Sequence, residues 1–97
     1  MRLVLHPKVY SDIDEIMGYF ERVATAQLAA EFYFELRHYM QQAVERPESF
    51  PVLERDLHRV NLHRFPYHFL FRLVGDVVRI LVVRHHRRSP TVGIGRR

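Results

Sequence analysis

Histidine and arginine are the residues through which this chain could do chemistry, and they crowd its second part. Residues 57–97 hold nine arginines and five of the seven histidines (His58, His63, His68, His85, His86) against one acid, Asp76. Residues 1–56 hold ten acids and six basic residues, so a net charge of +4 conceals a split into −4 and +8. Two kinds of chemistry follow. A histidine can deprotonate a ribose 2′-hydroxyl while guanidinium groups offset charge on the phosphorane, and Arg59, His68, His85 and Arg87 would form that set in a metal-independent endoribonuclease. The same side chains could instead only bind, with Arg59, His63, Arg64, Arg72, Arg84, Arg87 and Arg88 meeting phosphates or an acidic protein. Fourteen of the fifteen basic residues are arginine, whose planar fork grips phosphate and carboxylate at two points. Spacing alone leaves binding and catalysis both open.

Other chemistries find no motif. There is no glycine-rich phosphate loop, no metal motif on a helix and no serine nucleophile elbow. His85 and His86 are adjacent, and neighbours on a strand point to opposite faces, so they do not form a metal site with His63 and His68. No metal and no cofactor is expected. Among the carboxylates only Glu54 and Asp56, in a loop leading into the sheet, come near the basic region; Asp76 sits in a turn. Most Phe and Tyr of the third segment fall on an apolar face, which gives little basis for base stacking. Tyr67 is core by periodicity yet able to bring its hydroxyl to an edge.

The elements that must position these groups can be read from periodicity. Arg2–Leu5 predicts a short strand and Pro7 the first turn of a helix. Val9, Ile13, Ile16, Met17, Phe20 and Val23 then recur at helical spacing, and the early acids suit the helix dipole. Thr25 caps a second helix predicted from about Ala26 to about Arg46, with Leu28, Phe32, Leu36, Tyr39, Met40 and Ala43 as its stripe. Pro47 to Arg55 reads as a loop. Three strands follow: His58–Arg64, Phe65–Val74 and, after a Gly75-Asp76 turn, Val77–His85. The fold class is α+β in the order β-α-α-β-β-β, a helical hairpin packed on one face of a mostly antiparallel twisted sheet. Arg59, His63, His68 and Arg72 then project from the other, uncovered face.

Composition sets the outer bounds. Ninety-seven residues, 47% of them hydrophobic, suit one domain over 1–97, its tail from Pro90 flexible for want of periodicity. No cysteine is present, no apolar run is long enough for a membrane span and no signal-peptide core precedes His6-Pro7. The expected setting is cytoplasmic, with no membrane partner.

The strings Arg64-Phe65-Pro66-Tyr67-His68, Phe71-Arg72-Leu73-Val74, Val78-Arg79-Ile80-Leu81-Val82-Val83 and His85-His86-Arg87-Arg88-Ser89-Pro90 appear in an order that resembles the RelE/ParE toxin superfamily. That family's pattern is an F-P-Y strand, a hairpin, a hydrophobic strand and an H-x-R-R-x-P ending. The first half agrees, with a Pro-led helix carrying Asp12, Ile13, Ile16 and Tyr19-Phe20, an Ala-bearing second helix, and Pro47 before the loop. The resemblance implies the toxin of a type II toxin–antitoxin pair (plasmid stabilisation protein), neutralised by a cognate antitoxin with an acidic C-terminal segment. Within the superfamily RelE-like members cut messenger RNA on the ribosome and ParE-like members inhibit DNA gyrase. Matched by position, Arg59, His68 and Arg87 would serve cleavage, with His85 near the place of a catalytic histidine. Asn61 stands where a lysine is often found and no Tyr follows His85-His86, so the pattern leans to the ParE-like side. A non-toxic basic adaptor and a homo-oligomer remain open readings.

Overall fold

Each helix starts where the sequence supplies a cap. In the computed structural model, which describes residues 1–97 except for the side chain of Glu54, β1 (Arg2–Leu5) leads into α1 (Pro7–Val23). Pro7 sits in the first turn, where its missing N–H costs nothing, and His6 Nδ1 accepts a hydrogen bond from the Lys8 amide at 3.1 Å. Thr25 Oγ1 accepts from the Leu28 amide at 2.9 Å and opens α2 (Ala26–Glu45). A 3-10 turn (Pro47–Ser49) then leads to β2 (Val52–Glu54), β3 (Leu57–Asn61), β4 (Tyr67–Val74) and β5 (Val77–His85). Gly75, at φ 59°, supplies the left-handed residue that the tight β4–β5 hairpin needs.

The five strands form one sheet in the order β1-β5-β4-β3-β2, with β1 parallel to β5 and every other pair antiparallel. Both helices cover one face. Val9, Ile13, Ile16 and Phe20 of α1 and Phe32, Leu36 and Met40 of α2 bury against Val60, Phe69, Phe71, Val78 and Ile80. At one end Phe20, Phe32, Phe65 and Tyr67 bring their rings to centroid distances of 5.3 to 5.9 Å, mostly edge to face. The expected α+β architecture and its helical hairpin are therefore present.

Several details differ from expectation. The stretch expected to be a loop contains β2, a three-residue edge strand whose register to β3 shifts between Val52 and Glu54. β3 stops at Asn61 and β4 starts at Tyr67, leaving 62–66 as the turn between them. No acid lies in the first turn of α1. Asp12 instead accepts the Val83 amide at 3.0 Å and pairs with Arg96 at 2.6 Å, a tertiary role in place of a dipole one. β5 carries a bulge, since Leu70 faces Val82 while Phe71 faces Ile80. Leu81 and Val82 therefore both belong to the face away from the helices.

The chain after β5 folds back over that face. Val92 and Ile94 pack on Leu57, Leu70, Leu81 and Val82, a second and smaller apolar cluster. Gly93, at φ 83°, sits where a Cβ would stand 2.5 Å from Val82. Arg96 donates to Asp12 and to the Leu81 carbonyl, tying the strap to α1 and β5 together. The face opposite the helices is thus partly covered, though not by the helices.

Candidate binding surface

Strand register decides which predicted residues meet. Asn61 pairs with His68 and His68 with Arg84, Arg59 pairs with Leu70, and Arg72 lies between Leu57 and Arg79. Arg59, Asn61, His68, Arg72 and Arg84 accordingly share the face away from the helices, because alternate residues of paired strands keep to one side.

Among them runs a continuous hydrogen-bonded chain. Arg84 Nε donates to His68 Nε2 at 2.9 Å, and His68 Nδ1 lies 2.9 Å from His86 Nδ1. Because Nε2 of His68 must accept, its single proton is on Nδ1 and is donated to His86. His86 Nδ1 also lies 3.4 Å from Arg59 Nη2, which can only donate, so the proton of His86 is on Nε2. Arg59 is held in turn by Asn61, its Nε donating to Oδ1 at 2.8 Å. The two imidazoles lie nearly parallel and edge to edge, with centroids 5.1 Å apart.

Electrostatics follows from this packing. His68 is 1% exposed and its pKa is lowered to about 3, first by burial and then by Arg59 and Arg84. His86 is exposed, yet its pKa is also lowered, by partial desolvation, Arg59 and His85. Both rings are neutral near pH 7. His68 has neither ring nitrogen free, so it cannot act as a general base. What the surface offers outward is a set of donors: the Arg59 guanidinium, the Nε2–H of His86, and Arg87 and Arg88 in the exposed turn beyond β5. Donors of this kind suit phosphate or carboxylate oxygens.

The remaining predicted residues lie elsewhere. Arg84 is 4% exposed, and besides His68 it donates to the carbonyls of Pro90 and Val92 at 3.0 and 2.7 Å. Its fork holds the strap, which corrects the expectation that it faces a partner. Arg72 pairs with Asp56 at 2.8 Å, so both its charge and the only described candidate loop carboxylate are occupied. The Glu54 carboxylate lies outside the described residues. His63 is not on this face, contrary to expectation, because β3 ends before it, and Arg64, expected among the binding residues, is engaged with α2. Both backbone amides donate to Glu35 of α2, at 2.8 and 3.0 Å, and Arg64 pairs with Glu31 at 3.0 Å while lying over Phe65.

His85 points to the helix side. Its ring meets Tyr67 edge-on at 5.0 Å and its Nδ1 accepts the Arg87 amide at 3.0 Å. There it lines a cavity of about 280 Å³ between α1 and β5, with Glu15, Tyr19, Tyr67 and Arg88. Arg59 and His68 are on one face of the sheet and His85 on the other, so the four residues expected for cleavage do not converge. His86 is the functional candidate that sequence reasoning passed over. Its signal was its place one residue past the last strand position, where the Pro66 carbonyl accepts its amide at 2.9 Å and the ring turns back over His68. Among the described residues no group of three His, Asp or Glu side chains could hold a metal, and no helix is long and apolar enough to cross a membrane.

A helical hairpin on a five-stranded sheet, with a strap and a row of outward donors on the opposite side, defines a class of small α+β domain. A solved chain described as belonging to the chromosomal ParDE TA system from P. aeruginosa has this fold, with a TM-score of 0.79, 18% sequence identity, and coverage of 88% of this chain and 95% of that one. The fold is ParE-like over most of both chains. No family model and no curated protein matches the sequence.

Proposed function

We propose that this protein is the toxin of a type II toxin–antitoxin pair, acting by binding rather than by cleavage, with a DNA gyrase complex as its target and a cognate antitoxin with an acidic segment as its antidote. The observation that carries the reading is the hydrogen-bonded row Arg84, His68, His86, Arg59. It consumes the histidine that cleavage would need and leaves a surface of donors. The similarity in fold to a chain of a ParDE TA system supports the toxin–antitoxin class. The RelE-like alternative, a metal-independent ribosome-dependent messenger RNA endoribonuclease using Arg59, His68, His85 and Arg87, would need groups that lie on opposite faces of the sheet.

The test is induction of the chain in a bacterial host with two readouts. Growth arrest accompanied by inhibited supercoiling by purified gyrase supports the proposal. Arrest accompanied by codon-linked cuts in messages, with gyrase unaffected, assigns the chain to the ribonuclease alternative. An absence of arrest leaves the non-toxic adaptor reading.

A further inference from the structure

β1 covers only the first half of the outer edge of β5. Their parallel pairing runs from Arg2 with Val77 to Leu5 with Ile80, and the His6 amide makes the last bond, to the Ile80 carbonyl. Beyond it, Leu81 to His85 has no strand neighbour on that side. Two contacts fix the directions of its backbone groups. The Val83 amide points outward, because it donates to Asp12. Tyr67, opposite His85, turns its carbonyl toward β3, where it accepts the Leu62 amide, so His85 also turns its amide and carbonyl away from β4.

Four outward groups result, and two of them are used. The Val83 amide is taken by Asp12 and the His85 carbonyl by the Arg88 amide at 3.0 Å. Among the described residues no group donates to the Val83 carbonyl and none accepts from the His85 amide. An antiparallel strand would need both groups of Val83 or both of His85, and each residue has one blocked. A parallel strand needs the carbonyl of one residue and the amide two positions later, which is the pair left open.

These two groups front the cavity between α1 and the strap. An incoming residue straddling Arg84 would be bonded at both ends, and its neighbours would face Ile16, Tyr19 and Tyr67 on the α1 side. Arg88 stands exposed at the open end, while the Asp12–Arg96 pair closes the other. We infer that the edge of β5 from Val83 to His85 is a docking site for an extended, acidic peptide segment of a protein partner, which adds to the sheet parallel to β5 with an apolar or aromatic side chain against Tyr19 and Tyr67 and a carboxylate at Arg88. This goes beyond the toxin reading and does not depend on the target.

The experiment uses the full chain, isotope-labelled for amide spectra, and a blocked peptide, acetyl-Leu-Asp-Tyr-Asp-Leu-amide, titrated to millimolar concentration. The expected result is a shift of the His85 amide and a severalfold slowing of its hydrogen exchange. Methylation of the backbone nitrogen of the first aspartate, the residue opposite Arg84 that leaves the tyrosine ring on the Tyr19 and Tyr67 side, should abolish the effect, and Arg88→Glu should weaken it severalfold. A paramagnetic label on the peptide amino terminus should broaden Leu5 and His6 signals, and one on the carboxyl terminus those of Arg87 and Arg88. An unchanged His85 amide, or the reversed label pattern, overturns the inference. Growth arrest on induction, measured separately, keeps its failure distinct from failure of the toxin reading.

Discussion

Gly93 lies against Val82 so closely that a methyl group on its α-carbon would overlap the Val82 side chain, at 2.5 Å from both Cβ and Cγ2. Its φ of 83° is also one that other L residues rarely adopt. The seat of the strap on the sheet therefore depends on glycine for two separate reasons. Gly93→Ala should destabilise the protein by about 1–3 kcal/mol, the range of overpacking and strained-backbone substitutions. Urea unfolding measures the loss, and limited proteolysis after Arg87 and Arg88 should quicken. Unchanged stability and cleavage would mean that the strap does not rest on Val82 in solution.

Arg84 holds the same strap by a different means. Its guanidinium is buried and satisfied by the carbonyls of Pro90 and Val92 and by His68. Arg84→Ala leaves two carbonyls and a ring nitrogen without their donor, and such losses cost about 1–3 kcal/mol each before water enters to compensate. The expected total is at least about 2 kcal/mol in chemical unfolding, with the His86 ring signal shifted in NMR spectra because His68 loses its fixed tautomer.

Stability should fall in mild acid, and His68 fixes the sign. Its folded pKa of about 3 is below the value of 6.5 expected for the unfolded chain, so the unfolded state takes up the proton first. The stabilising contribution is fully present above 6.5 and is lost as pH falls through that value toward about 3. One proton corresponds to a slope of about 1.4 kcal/mol per pH unit, hence about 2 kcal/mol between neutral pH and about pH 5. The lowered pKa values of His86 and His6 act in the same direction. Urea midpoints across this range measure the slope, and His68→Gln should flatten it by about one proton.

Sequence pattern revealed most of the architecture because the alternation in β4 is clean, with Tyr67, Phe69, Phe71 and Leu73 on one side and His68, Leu70 and Arg72 on the other. It failed where alternation carries no information. Ile80-Leu81-Val82-Val83 is apolar at every position, so no two-residue period could mark the bulge that turns Leu81 and Val82 to the same face. The bulge in turn builds the apolar bed on which Val92 and Ile94 lie. That is why a tail without periodicity, expected to be flexible, is packed. The same bed explains Arg84: a charged residue at the end of an apolar strand reads as an exposed one, and only the strap's carbonyls make it internal. His63 and Arg64 continued the alternation of β3 on paper, but Glu35 of α2 captures their amides and ends the strand.

Arg59 and Arg87 provide the test of the outward donor surface. Arg59 is half-buried, held by Asn61 and near His86, while Arg87 is exposed in the turn after β5. Reversing either charge, as Arg59→Glu or Arg87→Glu, removes a donor from the surface without emptying either apolar cluster. Both variants should therefore stay folded by circular dichroism while losing affinity for an acidic antitoxin segment or for the gyrase–DNA target. Salt separates the two kinds of contact. If phosphates are neutralised, the logarithm of affinity should fall with the logarithm of salt concentration at a slope near 0.9 per phosphate, and each reversed arginine should lower that slope by about one. A flat salt response with weakened binding would place these arginines on carboxylates of a protein partner. Equal affinity for wild type and both variants would remove the donor surface from the binding mechanism altogether.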